Sequence, residues 1–124
     1  DCKTRQFYFL NVGHFTKTTS SMDFQFDAVY LNVSDANIIE SFNRQSMCNQ
    51  SQWKQNQNKE ITGQWCLFFS SNKKSLVPNK GDFRFGIYKL ENQMLYFGKI
   101  DKEHNALRPE TRPIEFDPRG YKKI

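Results

Sequence analysis

The chain has 124 residues, the size of one domain, and 12 Phe among an aromatic content of 15%, which excludes a disordered tail. Lys and Arg number 18 against 13 Asp and Glu, so the net charge of +5 is a moderate excess and does not by itself demand nucleic acid as a partner. No apolar run approaches the roughly 18 residues that cross a bilayer as a helix, and no signal-peptide region or initiator Met is present, so a mature product or an excised domain is expected.

In chain order, residues 5–12 and 23–33 carry the aromatic and β-branched side chains that suit a pleated, half-buried surface, and both read as strands. In the second, Phe24, Phe26, Ala28 and Tyr30 share one parity while Val29, Leu31 and Val33 share the other. Such a strand is buried on both faces or bulged, and belongs at the centre of a sheet. Ser34 is a candidate cap for a short helix over about 35–45, with Asp35 at the positive end of its dipole and Ile38, Ile39 and Phe42 on one side. From Gln45 to Lys59 the chain is mostly Gln, Asn, Ser and Lys around a single Trp53, which predicts a long polar loop with little to anchor it.

Residues 60–70 predict a third strand with Ile61, Trp65, Leu67 and Phe69 on one face and Gly63 at a bulge or close approach. After a breaker segment over 70–82, residues 83–90 and 94–100 predict a hairpin with Glu91-Asn92-Gln93 as its turn of about three residues. That length puts Phe83, Phe85, Ile87, Leu95 and Phe97 on a core face, and Arg84, Gly86, Tyr88, Met94, Tyr96, Gly98 and Ile100 on the other. Pro109, Pro113 and Pro118 punctuate the tail, where residues 112–116 fit an edge strand. The whole reads as a single mainly β domain over 1–124: about five or six strands in a small antiparallel sandwich or barrel with one inserted helix, the alternative being an α+β meander.

Cys2, Cys48 and Cys66 lack the paired spacing of a zinc site. Cys48 and Cys66 flank one polar connection and are the expected disulfide, with Cys2 left over; the alternative is three thiols in a reducing compartment. Asn32 and Asn49 open N-glycosylation triplets that arise readily in a chain so rich in Asn and Ser. No metal site and no cofactor is expected, because nucleotide-binding glycine loops and a nucleophile elbow are both missing. His14 and His104 with Lys17, Lys99 or Lys102 would suffice for acid–base cleavage of RNA, and Asp23 with Asp27 or Glu103 with Glu110 for a hydrolase, but nothing in the spacing brings either set together. Cys66, beside Trp65 in an apolar strand, reads as structural.

The strings KGDFRFGIY at 80–88 and LYFGKI at 95–100 are similar to the two short motifs of RNA-recognition domains, in which strand aromatics stack on bases. Here their order is reversed and Asp82 is inserted, which leaves an ordinary hairpin whose second face offers Arg84, Tyr88 and Tyr96 as an aromatic and cationic platform. The expectation is therefore a non-enzymatic extracytoplasmic binding domain, secreted or of a cell envelope, recognising a protein or glycan through its loops and that sheet face. A basic nucleic-acid-binding or ribonuclease-like domain is the rival.

Overall fold

A computed structural model describes residues 6–68 and 72–122, so Cys2 and Phe69 lie outside the described residues. The architecture is mainly β: β1 (Phe7–Lys17), β2 (Ser21–Val33), helix α1 (Ala36–Gln45), β3 (Asn58–Glu60), β4 (Trp65–Cys66), β5 (Ser75–Leu76), β6 (Phe83–Glu91), β7 (Met94–Gly98) and β8 (Phe116–Lys122). The strands of the larger sheet follow the order β1-β2-β6-β7-β8, with β3 also on β2, and β4 and β5 form a separate ladder. Each pairing from β2 onward is antiparallel, as the mainly β reading with one inserted helix requires. The chain forms two compact units, Asp1–Val12 with Phe26–Gly81, and Gly13–Gln25 with Asp82–Ile124.

The first unit holds the core. The end of β2 is buried on both faces, with Leu31, Asn32 and Val33 consecutively inside, which is the signature expected of a central strand. The helix begins one residue later than its sequence signal implies. Asp35, and not Ser34, is the N-cap, its Oδ1 accepting from the backbone N–H of Asn37 at 2.8 Å and of Ile38 at 3.2 Å. The carboxylate therefore caps the helix directly instead of sitting in its first turn. Phe42 points into the core and meets Trp53 edge-on at 5.1 Å.

The segment after the helix corrects the expectation of an unanchored polar loop. Trp53 is only 3% exposed, and Met47 and Cys48 are buried in a 3₁₀ turn at Met47–Asn49. The amides organise the rest by standing in for backbone partners. Asn43 accepts from Trp53 N at 2.7 Å and donates to Trp53 O at 3.1 Å, Gln50 donates to Glu60 O, and Gln55 donates to Ser34 O. None of these bonds leaves a hydrophobic period in the sequence.

Among the described residues of the expected strand over 60–70, pairing is limited to the end of β3 at Glu60 and to β4 at Trp65–Cys66. Ile61 and Cys66 are fully buried, whereas Trp65 is 52% exposed opposite Leu76, so the expectation that Ile61 and Trp65 share one strand face is corrected. The break comes at Gly63, whose φ of +69° and contact with the Asn79 side chain leave no room for a Cβ. The breaker segment itself supplies β5 and the buried Val77. A disulfide joins Cys48 to Cys66 across 18 residues, tying the 3₁₀ turn to β4.

The second unit is the remainder of the sheet. The first half of β6 pairs with β2, Asp23 opposite Phe85 and Phe24 opposite Arg84, and its second half pairs with β7. On the free edge that this change of partner leaves, Ala106 O accepts from Phe85 N at 2.7 Å, and the Arg112 guanidinium donates to Gly86 O at 2.8 Å and pairs with Asp23 of β2. Phe85 is half-buried and Phe83 and Phe97 are exposed, so the hairpin does not carry the fully buried core expected of it. The edge strand also moves: Ile114 in the predicted 112–116 segment is exposed, and the strand is β8, whose register shift lies opposite Tyr96 and Gly98. That irregularity lets Pro118, which has no N–H to give, sit in an edge strand.

Candidate functional site

The site follows from the turn between β6 and β7. Asn92 and Gln93 both adopt left-handed backbone, with φ of 51° and 65°, and Glu91 pairs with Met94. This is a two-residue primed turn, one residue shorter than the sequence suggests. Removing a residue from the turn inverts the parity of one strand relative to the other. Tyr88 now stands opposite Phe97, Leu90 opposite Leu95, and Lys89 opposite Tyr96. Residues directly opposite share a face, so Arg84, Tyr88, Leu90, Leu95 and Phe97 lie on one side, and Phe83, Phe85, Ile87, Lys89, Met94 and Tyr96 on the other.

The expected grouping of Arg84, Tyr88 and Tyr96 is therefore corrected in its geometry: Arg84 and Tyr88 share a face, and Tyr96 belongs to the opposite one. All three are partly exposed. On its own side, Tyr96 lies across Gly120, where an added Cβ would come within 2.9 Å of the ring. The Lys89 ammonium sits 5.1 Å from the Tyr96 ring centre and 4.8 Å from that of Phe116, and 3.2 Å from the Glu91 carboxylate. Tyr96 is thus occupied in holding β8 to β7.

The Arg84 face is different. The Tyr88 hydroxyl donates to Thr18 O at 2.9 Å, which fixes the ring, and the Lys17 ammonium stands 5.8 Å from its centre. Beyond Tyr88 a shallow groove of about 450 Å³ is bounded by Lys17, Met22, Leu90, Leu95, Tyr121 and Lys122. Leu90 is 68% and Tyr121 62% exposed, and among the described residues lining the groove none is acidic. Arg84 lies further along, its guanidinium donating to Phe83 O at 3.0 Å; burial lowers its pKa while Asp82 raises it, and it remains a cation. The sequence does not single out Leu90, Tyr121 or Lys122, and it assigns Leu95 to the opposite face and Lys17 to a different candidate set. Leu95 was hidden by the turn length, and Tyr121 by the prolines that pointed to the wrong edge strand.

The other candidates are dispersed. The His104 ring Nδ1 lies 3.2 Å from Asp101 Oδ1 in a turn where that oxygen also accepts from Glu103 N and His104 N. These bonds hold the Asp101 carboxyl below its usual pKa, chiefly the one from the His104 backbone. His14 is an exposed residue of β1. Asp23 pairs with the Arg112 guanidinium, which also lies 5.6 Å from the Phe85 ring centre, a structural clamp on the sheet. Of the two glycosylation triplets, Asn32 is buried with its amide donating to Asn58 Oδ1, and Asn49 is exposed. No family model and no curated protein matches this sequence.

Proposed function

We propose that the chain is a non-enzymatic, extracytoplasmic binding domain that docks a protein segment on the Tyr88–Leu90–Leu95–Tyr121 face. The observation that carries this reading is the exposure of Leu90 and Tyr121 on a groove rimmed by Lys17 and Lys122. Contiguous apolar surface with a polar rim is kept exposed where a partner covers it. A small molecule would need deeper enclosure, since such ligands bury most of their surface in their sites. An open sheet face suits an extended or helical segment with apolar anchors, and the two lysines favour acidic residues beside those anchors. The Cys48–Cys66 disulfide supports an oxidising compartment.

The test is selection from a displayed library of random peptides against the intact protein at physiological salt. Enriched sequences should combine large apolar residues with Asp or Glu. The double variant Leu90→Ser, Tyr121→Ser, which alters only exposed side chains, should weaken their binding by about tenfold or more, and Tyr96→Phe should leave it unchanged. Binding that survives the double variant, or an empty selection, contradicts the reading. So does tight oligonucleotide binding that the same double variant abolishes and that falls steeply with salt, which would make the face a nucleic-acid platform.

A further inference from the structure

The first unit carries a second recessed site, remote in composition from the sheet face just described. A pocket of about 390 Å³ lies beside the disulfide, bounded by Gln45, Ser46, Asn49, Trp65, Leu67 and Lys74. Its position is fixed by covalent and conformational constraints. The disulfide ties Cys48 to Cys66, the neighbour of Trp65, so the 3₁₀ turn and the Trp ring are held in register. Ser46, Cys48 and Asn49 all adopt left-handed backbone, with φ of 49°, 56° and 56°. Non-glycine residues in this region cost free energy, and they concentrate where a ligand is clamped.

Trp65 presents an exposed ring to this pocket while its paired neighbour Leu76 is also exposed, so burial does not account for a Trp here. Gln45, Ser46 and Asn49 line the same pocket and bring amide and hydroxyl groups that both donate and accept, the Gln45 Nε2 already donating to Ser41 Oγ at 2.9 Å. Lys74 adds one cation, and no acidic side chain is among the described lining residues. A flat aromatic beside amides and a hydroxyl is complementary to a sugar ring, whose C–H face lies on the indole while its hydroxyls exchange hydrogen bonds with the amides. We infer that this pocket binds a saccharide, with an anionic substituent of the sugar, carboxylate or sulfate, meeting Lys74. The volume accommodates a monosaccharide or a disaccharide.

The experiment is a glycan array holding neutral, sialylated and sulfated structures, followed by fluorescence titration of the intact disulfide-bonded protein with the best binders. Trp65 is the accessible one of the 2 Trp, because Trp53 is buried. Saturable binding should shift its emission and shield it from acrylamide. Trp65→Ala should weaken binding by about tenfold or more, Trp65→Phe should recover part of it, and Lys74→Ala should affect anionic glycans only. The sialylated and sulfated arms report which anion is taken. The inference is overturned if no glycan class binds the folded protein or if Trp65→Ala binds as well as the parent. Leu90→Ser with Tyr121→Ser should leave glycan binding intact, so this site and the peptide-docking face fail or succeed separately.

Discussion

Trp53 and Trp65 show what a residue's surroundings decide that its identity does not. The sequence puts Trp53 in a polar loop and Trp65 on one strand face with Ile61, Leu67 and Phe69. The structure buries Trp53 and exposes Trp65, because Phe42, Asn43 and Met47 enclose Trp53 while the break at Gly63 turns Trp65 outward. Trp53→Ala should therefore cost about 3–5 kcal/mol in denaturant unfolding. Trp65→Ala should stay within about 0.5 kcal/mol of the parent. Equal losses would show that the two are not distinguished in this way. At Asp117, hydrogen bonds from the Arg119 side chain and backbone hold the carboxyl down at about 2. A folded-state value below the ordinary one of about 3.9 means that its contribution to stability is complete above that pH and is lost as pH falls toward 2. Asp117→Asn should accordingly flatten the acid limb of a stability–pH curve between those limits, and an unchanged limb would contradict the assignment.

Among the elements, those built from periodic apolar residues were legible and those built from side-chain amides were not. The central strand β2, the helix and the hairpin all announce themselves through parity or capping, and their bounds agree with the structure to within a few residues. The loop over 45–59 does not, because Asn43, Gln50 and Gln55 bond to backbone groups distant in sequence. The hairpin turn was misread because Gln at a left-handed position is unusual, where Asn-Gly would have declared a two-residue turn. That single residue decided the candidate site, since it moved Tyr96 away from Arg84 and Tyr88. Gln93→Gly should stabilise the domain modestly, because φ of 65° costs a non-glycine residue about 1–2 kcal/mol, more than the roughly 0.5–1 kcal/mol that glycine's added backbone freedom costs. A destabilised Gln93→Gly variant would show that the turn is not of this type.

For the whole molecule, the division between a buried first unit and a sheet-like second unit predicts where stability resides. Amide exchange should be slowest at Val29, Leu31 and Val33 and at Ile61, whose N–H donates to Val29 O at 2.9 Å, and faster across Phe83–Gly98. Slowest exchange in the hairpin would relocate the core. Reducing the disulfide should cost about 2–4 kcal/mol and act first on the unit that contains it. The mainly β class was readable because strand residues dominate the composition. The concentration of burial in the first unit was not, since the Phe-rich hairpin holds more large apolar residues than it hides.

The most direct test of the docking face is methyl-resolved NMR of the protein titrated with a peptide enriched by the selection. Leu90, Leu95 and Met22 lie on the proposed face, and Ile87 and Met94 on the opposite one. Methyl signals of Leu90, Leu95 and Met22 should shift together in saturable fashion while those of Ile87 and Met94 hold still. Shifts concentrated at Ile87 and Met94 would contradict both the register that builds the face and the function assigned to it.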